Sequence, residues 1–430
     1  MSHSRPEGSH STSSSDSSAG SDWRVRAITP DELPAFHSIL GEALLAGDLT
    51  EARSELYRGL MEFDRSLAAF DGSQMVGTSI AHSLEMTLPG GPRPVAGLSA
   101  VGVWPTHRRR GVLTALMRRQ LADIRERGEN VAALFASEGA IYGRFGHGPA
   151  SRAYAVTVPT HEVNLRRDIP RDPALRLRLT TPGDAAKELA TVHRTAATHR
   201  VGDFQRDERW WKVVLADEPE RRGGASAYRC AIAEDDAGPL GYLLYRIANR
   251  WTDHGTPDGR LDVAELTATA PAAHALLWEY ALTRDLVSTV RAELVAPDDP
   301  LLHLVTDPQR IHRQLTNGLW IRLVDVAAAL EQRGYAAPVD VVLEVSDTTA
   351  PWNAGRWRLT ADTEAARCTA TDAEPDIRLN VSWLGAAYLG GTALGAYRTA
   401  GLLTEETPGA VDRLDTALSR SEQPFCGVIF

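Results

Sequence analysis

The sequence is poor in lysine and cysteine, and it contains no long apolar run. Only Lys187 and Lys212 of the 46 basic residues are lysine, and the formal net charge of −10 argues against a dedicated nucleic-acid-binding protein. The cysteines, Cys230, Cys368 and Cys426, are far apart and have no paired spacing, which gives no support for a disulfide framework or a zinc site. Cys426, near the C-terminus, could be a nucleophile, but we expect all three cysteines to be structural, with no metal and a reducing, cytoplasmic setting. Without an apolar run of about 18 residues, a transmembrane helix is excluded and we expect no membrane partner.

The composition is otherwise that of a protein with substantial cores. Hydrophobic residues make up 43% and charged residues 24% of the 430 residues. That length predicts roughly two to four domains. Residues 1–22 contain ten serines and lack the apolar stretch of a secretory signal, so we expect a disordered tail there.

Hydrophobic periodicity divides the rest of the chain into three regions. Residues 23–165 predict a strand at 25–28, a helix at 30–45, a hairpin with its turn at 71–72, a strand at 97–103, a helix at 111–127, a strand at 131–136 and a short helix from 137. Residues 166–317 repeat this order, with strands at 228–233, 240–245, 261–267 and 287–294 and a helix at 270–283, which indicates an internal duplication. Residues 318–430 predict an α+β domain with helical spacing at 381–397 and an apolar end, Phe425–Phe430.

The most informative stretch is an arginine-rich turn between a strand and a helix. Val101–Val103 end the strand, Arg108–Arg110 occupy the turn, and Gly111 begins the helix. The first N–H groups of a helix can bind an anion, the helix dipole favours one, and a glycine allows close approach to the backbone. A diphosphate would dock well there. Considered alone, the charge is explained equally well by an ordinary solvated basic face.

The order of elements around this turn resembles the coenzyme A site of GNAT acetyltransferases, although Leu113 stands where many members have glycine or alanine. With Gly97–Leu113, Ser137–Gly146 and Gly318–Tyr335 taken together, the chain resembles the Eis (enhanced intracellular survival) family over nearly its whole length after the tail. The resemblance implies an α/β (α+β) fold class, with two tandem GNAT regions and then a sterol-carrier-like domain. It also implies a homo-hexamer. Because Ala268–Leu276 carry no Arg-x-x-Gly, we expect the second region to be degenerate and the chain to bind one acetyl-CoA.

The resemblance also assigns roles to individual residues. Tyr142 matches the family's general acid, and the carboxylate of the terminal Phe430 matches its general base. Acidic residues are expected around the amine substrate, and Glu42 on the first helix is the candidate. The acetyl-CoA site would be lined by Val101, Gly102, Val103, Arg108, Arg109, Arg110, Gly111, Val112, Leu113, Thr114, Ser137 and Glu138.

The proposed acid and base can be examined on chemical grounds. Expulsion of a thiolate needs a proton, and a phenol of pKa about 10 stays protonated at neutral pH, although Tyr142 could also be a packing aromatic. A free carboxylate has a pKa of about 3.5, so it would need a water or burial to deprotonate an amine. For Phe430 the alternative stays open that the apolar end of the chain only packs and has no catalytic role. His147 follows the Tyr142–Gly146 motif, where it could relay protons or simply be tolerated at a half-exposed position, and we expect the latter.

The expected function is direct transfer of acetyl from acetyl-CoA to a primary amine of an aminoglycoside-like polyamine, without a covalent enzyme intermediate. The loops at 86–94 and 201–211 are expected to shape the substrate pocket. Two alternatives stay open. One is lysine acetylation on peptides or proteins, and the other is a non-catalytic protein whose sterol-carrier-like domain binds an apolar ligand.

Overall fold

The computed structural model of the protein describes residues 23–47 and 49–430, so the tail predicted at 1–22 lies outside the described residues. The predicted elements of the first region are confirmed within a few residues at most ends, although β4 begins well before Gly97. The chain here forms β1 (Arg24–Ala27), α1 (Leu33–Leu44), α2 (Glu51–Leu60), β2 (Ser66–Asp71), β3 (Gln74–Leu88), β4 (Gly91–Val103), α3 (Val112–Glu126), β5 (Val131–Phe135), α4 (Gly139–Tyr142) and β6 (Gly148–Pro149).

The middle of the chain repeats the hairpin, strand, helix and strand in the predicted order. It forms β7 (Arg152–Pro159), β8 (Arg176–Thr180), α5 (Ala186–Ala197), α6 (Glu208–Val214), β9 (Arg229–Glu234), β10 (Pro239–Ala248), β11 (Gly259–Ala268), α7 (Pro271–Leu282), β12 (Val287–Val295), α8 (Leu301–Leu304) and β13 (His312–Asn317).

The last part of the chain forms the remaining helices and strands. They are β14 (Leu319–Leu323), α9 (Val326–Glu331), β15 (Val339–Ser346), β16 (Gly355–Ala361), β17 (Ala366–Ala370), β18 (Ile377–Asn380), α10 (Val381–Ala387), α11 (Leu394–Thr399), β19 (Thr404–Glu405) and α12 (Ala410–Leu418). The helical spacing at 381–397 corresponds to two helices, because Gly390 has φ of +86° and a side chain there would meet the Leu418 carbonyl. Among the described residues, no helix is long and apolar enough to cross a membrane.

The described residues form three sheets, and two of these sheets include a strand from a distant part of the chain. The first has the order β1-β2-β3-β4-β5-β14-β6, the second β13-β7-β12-β11-β10-β9-β8, and the third β17-β16-β15-β18-β19. Thus β7, inside the predicted first region, lies in the second sheet. In turn β14, inside the predicted third region, pairs with β5 in the first sheet. The first and second sheets therefore each contain a strand from outside their own predicted region.

Strands β4 and β5 are parallel but separate almost at once. Only Ala96 and Gly97 of β4 pair with β5, opposite Ala132 and Ala133. Beyond them β4 contains a bulge, where Ala100 has φ of +52° and the pairing with β3 shifts register. A bulge bends and twists a strand, which turns the end of β4 away from β5. The gap between them, called here the β4–β5 gap, opens toward the arginine-rich turn.

The three cysteines are buried and unpaired. Burial raises the pKa of the Cys230 and Cys368 thiols to about 12. Burial also raises the pKa of Cys426. Since the thiolate is the reactive form, these side chains act as small apolar core residues, as expected from the sequence.

Candidate active site

The arginine-rich turn lies at the open end of the β4–β5 gap. Gly111, with φ of +86°, directly precedes α3 and has the left-handed conformation that favours glycine. The first hydrogen bond of the helix runs from Ala115 N to Gly111 O, at 3.0 Å. The N–H groups of residues 112–114 lie ahead of that bond and face out of the helix end. Val112 itself is buried, while Leu113 and Thr114 are half-buried.

Contacts with neighbouring strands hold the turn in place. Trp23 donates its Nε1–H to the Arg110 carbonyl at 2.9 Å, and the His107 Nε2 lies 3.2 Å from an Asp71 carboxylate oxygen. The Arg110 guanidinium lies over the Trp23 ring, 5.2 Å from its centroid, and 3.7 Å from the Asp71 carboxylate. The turn is thus preorganised, and all three of its arginines, Arg108 to Arg110, are exposed.

These features fit the phosphates and the amide chain of acetyl-CoA. The exposed arginines and the free helix end suit a diphosphate. On the side of β4 that faces the gap, the backbone of Val101–Val103 is not paired with β5, so it can bond to amide groups. Ser137 and Glu138 are exposed at the end of β5, on the opposite side of the gap. The predicted cofactor-binding residues therefore lie along the end of β4, through the turn to the start of α3, and just after β5.

Tyr142 is the last residue of α4, which closely follows β5. Its side chain is 7% exposed and belongs to a buried cluster with Leu98 and Trp320. Burial, with a smaller effect of the Glu138 carboxylate, raises the pKa of Tyr142 to about 12. The phenol is therefore protonated throughout the physiological pH range, as a proton donor must be.

His147 is fully buried, so its predicted half-exposed position is wrong. Its ring lies edge-on to Tyr142, with 5.9 Å between the ring centroids. Among the described residues neither ring nitrogen has a hydrogen-bond partner. Burial lowers the pKa of His147 to about 3, and the nearby Arg322 guanidinium acts in the same direction. At neutral pH the side chain is a neutral aromatic group that packs against Tyr142.

The terminal Phe430 lies at the β4–β5 gap. Its ring is edge-on to Phe135, the last residue of β5, at 5.5 Å between centroids, and to Phe204 at 5.7 Å. A side chain on Gly97 would come within 3.2 Å of the Phe430 ring and closer still to Leu84. Gly97 is also where the pairing of β4 with β5 ends. The glycine therefore makes room for the chain terminus where the two strands separate.

Sequence analysis missed an aromatic wall formed by His82, Phe204, Trp210 and Phe430. The Trp210 ring lies edge-on to both His82 and Phe204, at 5.2 Å in each case. Burial lowers the pKa of His82 to about 4, so its ring is neutral at physiological pH. The sequence signal for this wall is the aromatic content of residues 201–211. These residues are predicted to form a loop that shapes the pocket, and in the structure they include the start of α6. Nothing in the sequence placed His82 beside it.

Glu42 is exposed on α1, and its role as a substrate ligand stays a prediction. The next residue, Ala43, accepts a hydrogen bond from Arg108 Nη2 at 3.4 Å through its carbonyl. The Ala43 side chain also lies 3.0 Å from where a Cβ on Gly102 would be. Helix α1 therefore crosses the end of β4 beside the turn. The described part of the chain contains no cluster of three or more His, Cys, Asp or Glu side chains that could hold a metal ion.

Three family models match successive parts of the chain. Residues 24–150 match an acetyltransferase (GNAT) domain, residues 202–323 a second acetyltransferase (GNAT) domain, and residues 326–427 a sterol carrier protein domain. The N-acetyltransferase Eis of Mycobacterium tuberculosis is 34% identical over 91% of this chain and 95% of its own. The crystal structure of Eis1 from Mycobacterium abscessus superposes with a TM-score of 0.81 at 32% identity, over 95% of this chain and 100% of that one.

The chain belongs to the Eis family of GNAT acetyltransferases. An uncharacterized N-acetyltransferase of Streptomyces avermitilis is 42% identical over 93% of this chain and 98% of its own. Membership of the Eis family confirms the predicted fold class of two GNAT regions and a sterol-carrier-like domain. It also confirms that the protein is an N-acetyltransferase, for which acetyl-CoA is the cosubstrate.

The second GNAT region of this Eis-family chain differs from the first where the diphosphate would dock. Its helix α7 begins with Pro271 and is preceded by Ala270, with no arginine-rich turn. Proline has no N–H group to offer an anion. The start of α7 therefore lacks the positive charge of the arginine-rich turn and one of the N–H donors that α3 offers after Gly111. This difference is the physical basis for expecting a single acetyl-CoA per chain.

Proposed function

We propose that this Eis-family enzyme acetylates primary amines of aminoglycoside-like polyamines. Acetyl-CoA supplies an acetyl group held by a thioester bond, which an amine can displace. In this proposal the Phe430 carboxylate accepts a proton from the amine, and the Tyr142 hydroxyl donates one to the leaving sulfur. The Arg108–Gly111 turn holds the diphosphate, and the resemblance to the Eis family carries the choice of substrate class.

The observation that carries the proposal is the placement of Tyr142 and Phe430 on opposite sides of β4. Successive residues of a strand point to opposite faces of the sheet. The Phe430 ring lies against Gly97, whereas Tyr142 belongs to the buried cluster of Leu98. In this proposal the base acts on the arriving amine and the acid on the departing sulfur, each from its own side of β4.

Protonation states support the same assignment. The pKa of Tyr142, raised to about 12, keeps the phenol protonated at the pH where amines are acetylated. The neutral His82 of the aromatic wall adds no positive charge that would repel a cationic substrate.

The test measures coenzyme A release from acetyl-CoA with a panel of aminoglycosides, linear polyamines and lysine peptides. Tyr142→Phe keeps the ring in its buried site, and we expect kcat to fall about 10²–10⁴-fold while acetyl-CoA affinity stays the same. A chain extended by one glycine after Phe430, which moves the carboxylate, should lose activity to a similar degree. Tyr397→Phe, in the third region and stacked on Trp383, is the matched control and should keep full activity.

The outcomes separate the proposal from its alternatives. Turnover of aminoglycosides that falls in both altered chains supports the substrate class and the acid–base pair. Turnover of peptides alone would make the enzyme a lysine acetyltransferase. Absence of acetyl-CoA binding would contradict the whole site. The homo-hexamer and the cytoplasmic location rest on the family resemblance and the cysteine usage, and light scattering of the purified protein tests the hexamer.

A further inference from the structure

The C-terminal tail, defined here as residues 423–430, contacts the second GNAT region before it reaches the active site of the first. The Phe425 N–H donates to the Val201 carbonyl at 2.8 Å. Gly202, with φ of +94°, lies so close that a side chain there would come within 3.1 Å of the Phe425 carbonyl. The tail is therefore guided by the segment that precedes α6.

An ion pair anchors the start of this tail. Arg200 Nη1 donates to both carboxylate oxygens of Asp298, at 3.0 Å each, and also to the Gln423 carbonyl at 3.0 Å. Asp298 in turn accepts the Gln423 N–H at 2.9 Å. Both backbone polar groups of Gln423 are thus bound by a charged partner. Charge-assisted hydrogen bonds of this kind are stronger than neutral ones.

The segment that guides the tail is itself bonded to the first sheet. The Gly202 N–H donates to the Thr87 carbonyl at 2.8 Å, and the Gln205 N–H donates to the Glu85 carbonyl at 2.9 Å. Residues 200–206 therefore lie between β3 and the tail, with hydrogen bonds to both. Phe204 of the aromatic wall belongs to this same segment.

A buried ion pair lies beneath the middle of the tail. Arg206 Nη2 and Glu265 Oε1 are 2.9 Å apart, and the arginine side chain is fully buried. A side chain on Gly427 would meet both groups at 3.7 Å. Glu265 is on β11 beyond Val263, where the parallel pairing of β11 with β12 ends. The second region therefore uses its own gap, which corresponds to the β4–β5 gap, to support the tail.

We propose that Arg200 and Asp298 are positioning residues that hold the C-terminal tail so that Phe430 stays at the β4–β5 gap. The second GNAT region, without a diphosphate turn of its own, serves as the support for the base of the first. The inference rests on the proposed function insofar as the Phe430 carboxylate is the base. The anchoring of the tail is a separate matter and can be measured without any turnover.

The direct test follows removal of the C-terminal residue by carboxypeptidase A, which releases terminal aromatic residues only from an accessible chain end. Asp298→Ala removes the acceptor of both Arg200 and Gln423, and we expect Phe430 to be released about 10-fold faster than from the unaltered enzyme. Asp298→Asn keeps an acceptor oxygen but not the charge, so the rate of Phe430 release should lie between those of the unaltered enzyme and Asp298→Ala. Asp340→Ala, which removes a bidentate arginine pair with Arg358 in the third sheet, is the matched control and should release Phe430 at the original rate.

The second measurement is the kinetics of the same chains and of a chain that ends at Ile429. Asp298→Ala should lower kcat about 10–100-fold through misplacement of the base, with the KM for acetyl-CoA unchanged. In the chain that ends at Ile429, the same substitution should cause no further loss, because the group that it positions is absent. A purely structural role would lower kcat in both backgrounds.

Each outcome decides a separate point. Unchanged release of Phe430 from Asp298→Ala overturns the anchoring, whatever the kinetics show. Faster release with a lower kcat in the full chain alone supports the proposal. Faster release with full activity supports the anchoring and overturns the assignment of Phe430 as the base. An equal loss of kcat in both backgrounds overturns the positioning role.

Discussion

Replacing His147 with phenylalanine is expected to make the protein less sensitive to acid. His147 is fully buried, and its pKa is lowered from 6.5 to about 3 by burial and by Arg322. In the unfolded chain the same side chain is protonated below about pH 6.5. A depressed pKa in the folded state means that the stability is fully present above pH 6.5 and is lost as the pH falls toward 3.

The size of the effect follows from the difference between the two pKa values. At pH 5 the unfolded histidine is about 1.5 pH units below its pKa, and each unit is worth about 1.4 kcal/mol, so folding loses about 2 kcal/mol. The pKa of His82 is lowered to about 4, so its contribution to the free energy of folding falls by a similar amount, and it does so in both proteins. The unaltered protein should therefore lose about 4 kcal/mol from these two groups between pH 7.5 and pH 5, and His147→Phe about 2 kcal/mol.

The assay is urea unfolding followed by circular dichroism at pH 7.5 and pH 5. Each protein is compared with itself at the two pH values, so the packing cost of the larger ring cancels. His254→Gln, at an exposed histidine, is the control and should leave the pH dependence as it was. The reasoning is refuted if His147→Phe loses as much stability between pH 7.5 and pH 5 as the unaltered protein does.

Two further predictions concern the turn and the core. Gly111→Ala forces alanine into a left-handed conformation and should lower the stability of the fold by about 1 kcal/mol. It should also weaken acetyl-CoA binding, which calorimetry measures. Gly128→Ala, at φ of +76° beyond the other end of α3, should cost as much and keep the affinity, and equal affinities in the two variants would contradict the site. Glu129→Gln leaves the buried Arg65 without its ionic partner and should cost about 3 kcal/mol of stability by thermal unfolding. Asp168→Asn, in an exposed pair with Arg166, should cost much less, and a similar cost for both would contradict the argument.

Most helices and strands could be predicted because the apolar pattern of each is contained within a short stretch of sequence. Helix α3 has a regular apolar stripe, and β5 is a continuous apolar run. Helix α2 is not predicted from the sequence because it is short and mostly polar: Leu56 and Leu60 are its only leucines, and Leu60 is its only buried residue. Helices α10 and α11 were predicted as one stretch because apolar spacing continues across the left-handed Gly390 between them.

The arrangement of strands between the sheets could not be predicted in the same way. Strand β14 pairs with β5 across nearly 200 residues of intervening chain, and β7 crosses in the opposite direction into the second sheet. Hydrophobic pattern shows that a strand is buried and does not identify its neighbour. The order of elements in the sequence therefore suggested regions that follow one another, while the sheets exchange strands across those regions.

The sequence by itself determined the chemistry that is contiguous in the chain. Three features lie within short stretches, where spacing alone specifies geometry: the arginine-rich turn, the glycine before α3, and the segment Ser137–Gly146 that contains Tyr142. Only the tertiary structure decided what meets at the β4–β5 gap. Gly97, Phe204 and Phe430 come together there because three distant segments pack against one another, and it is burial in that packing, rather than residue type, that lowers the pKa of His147 and raises that of Tyr142.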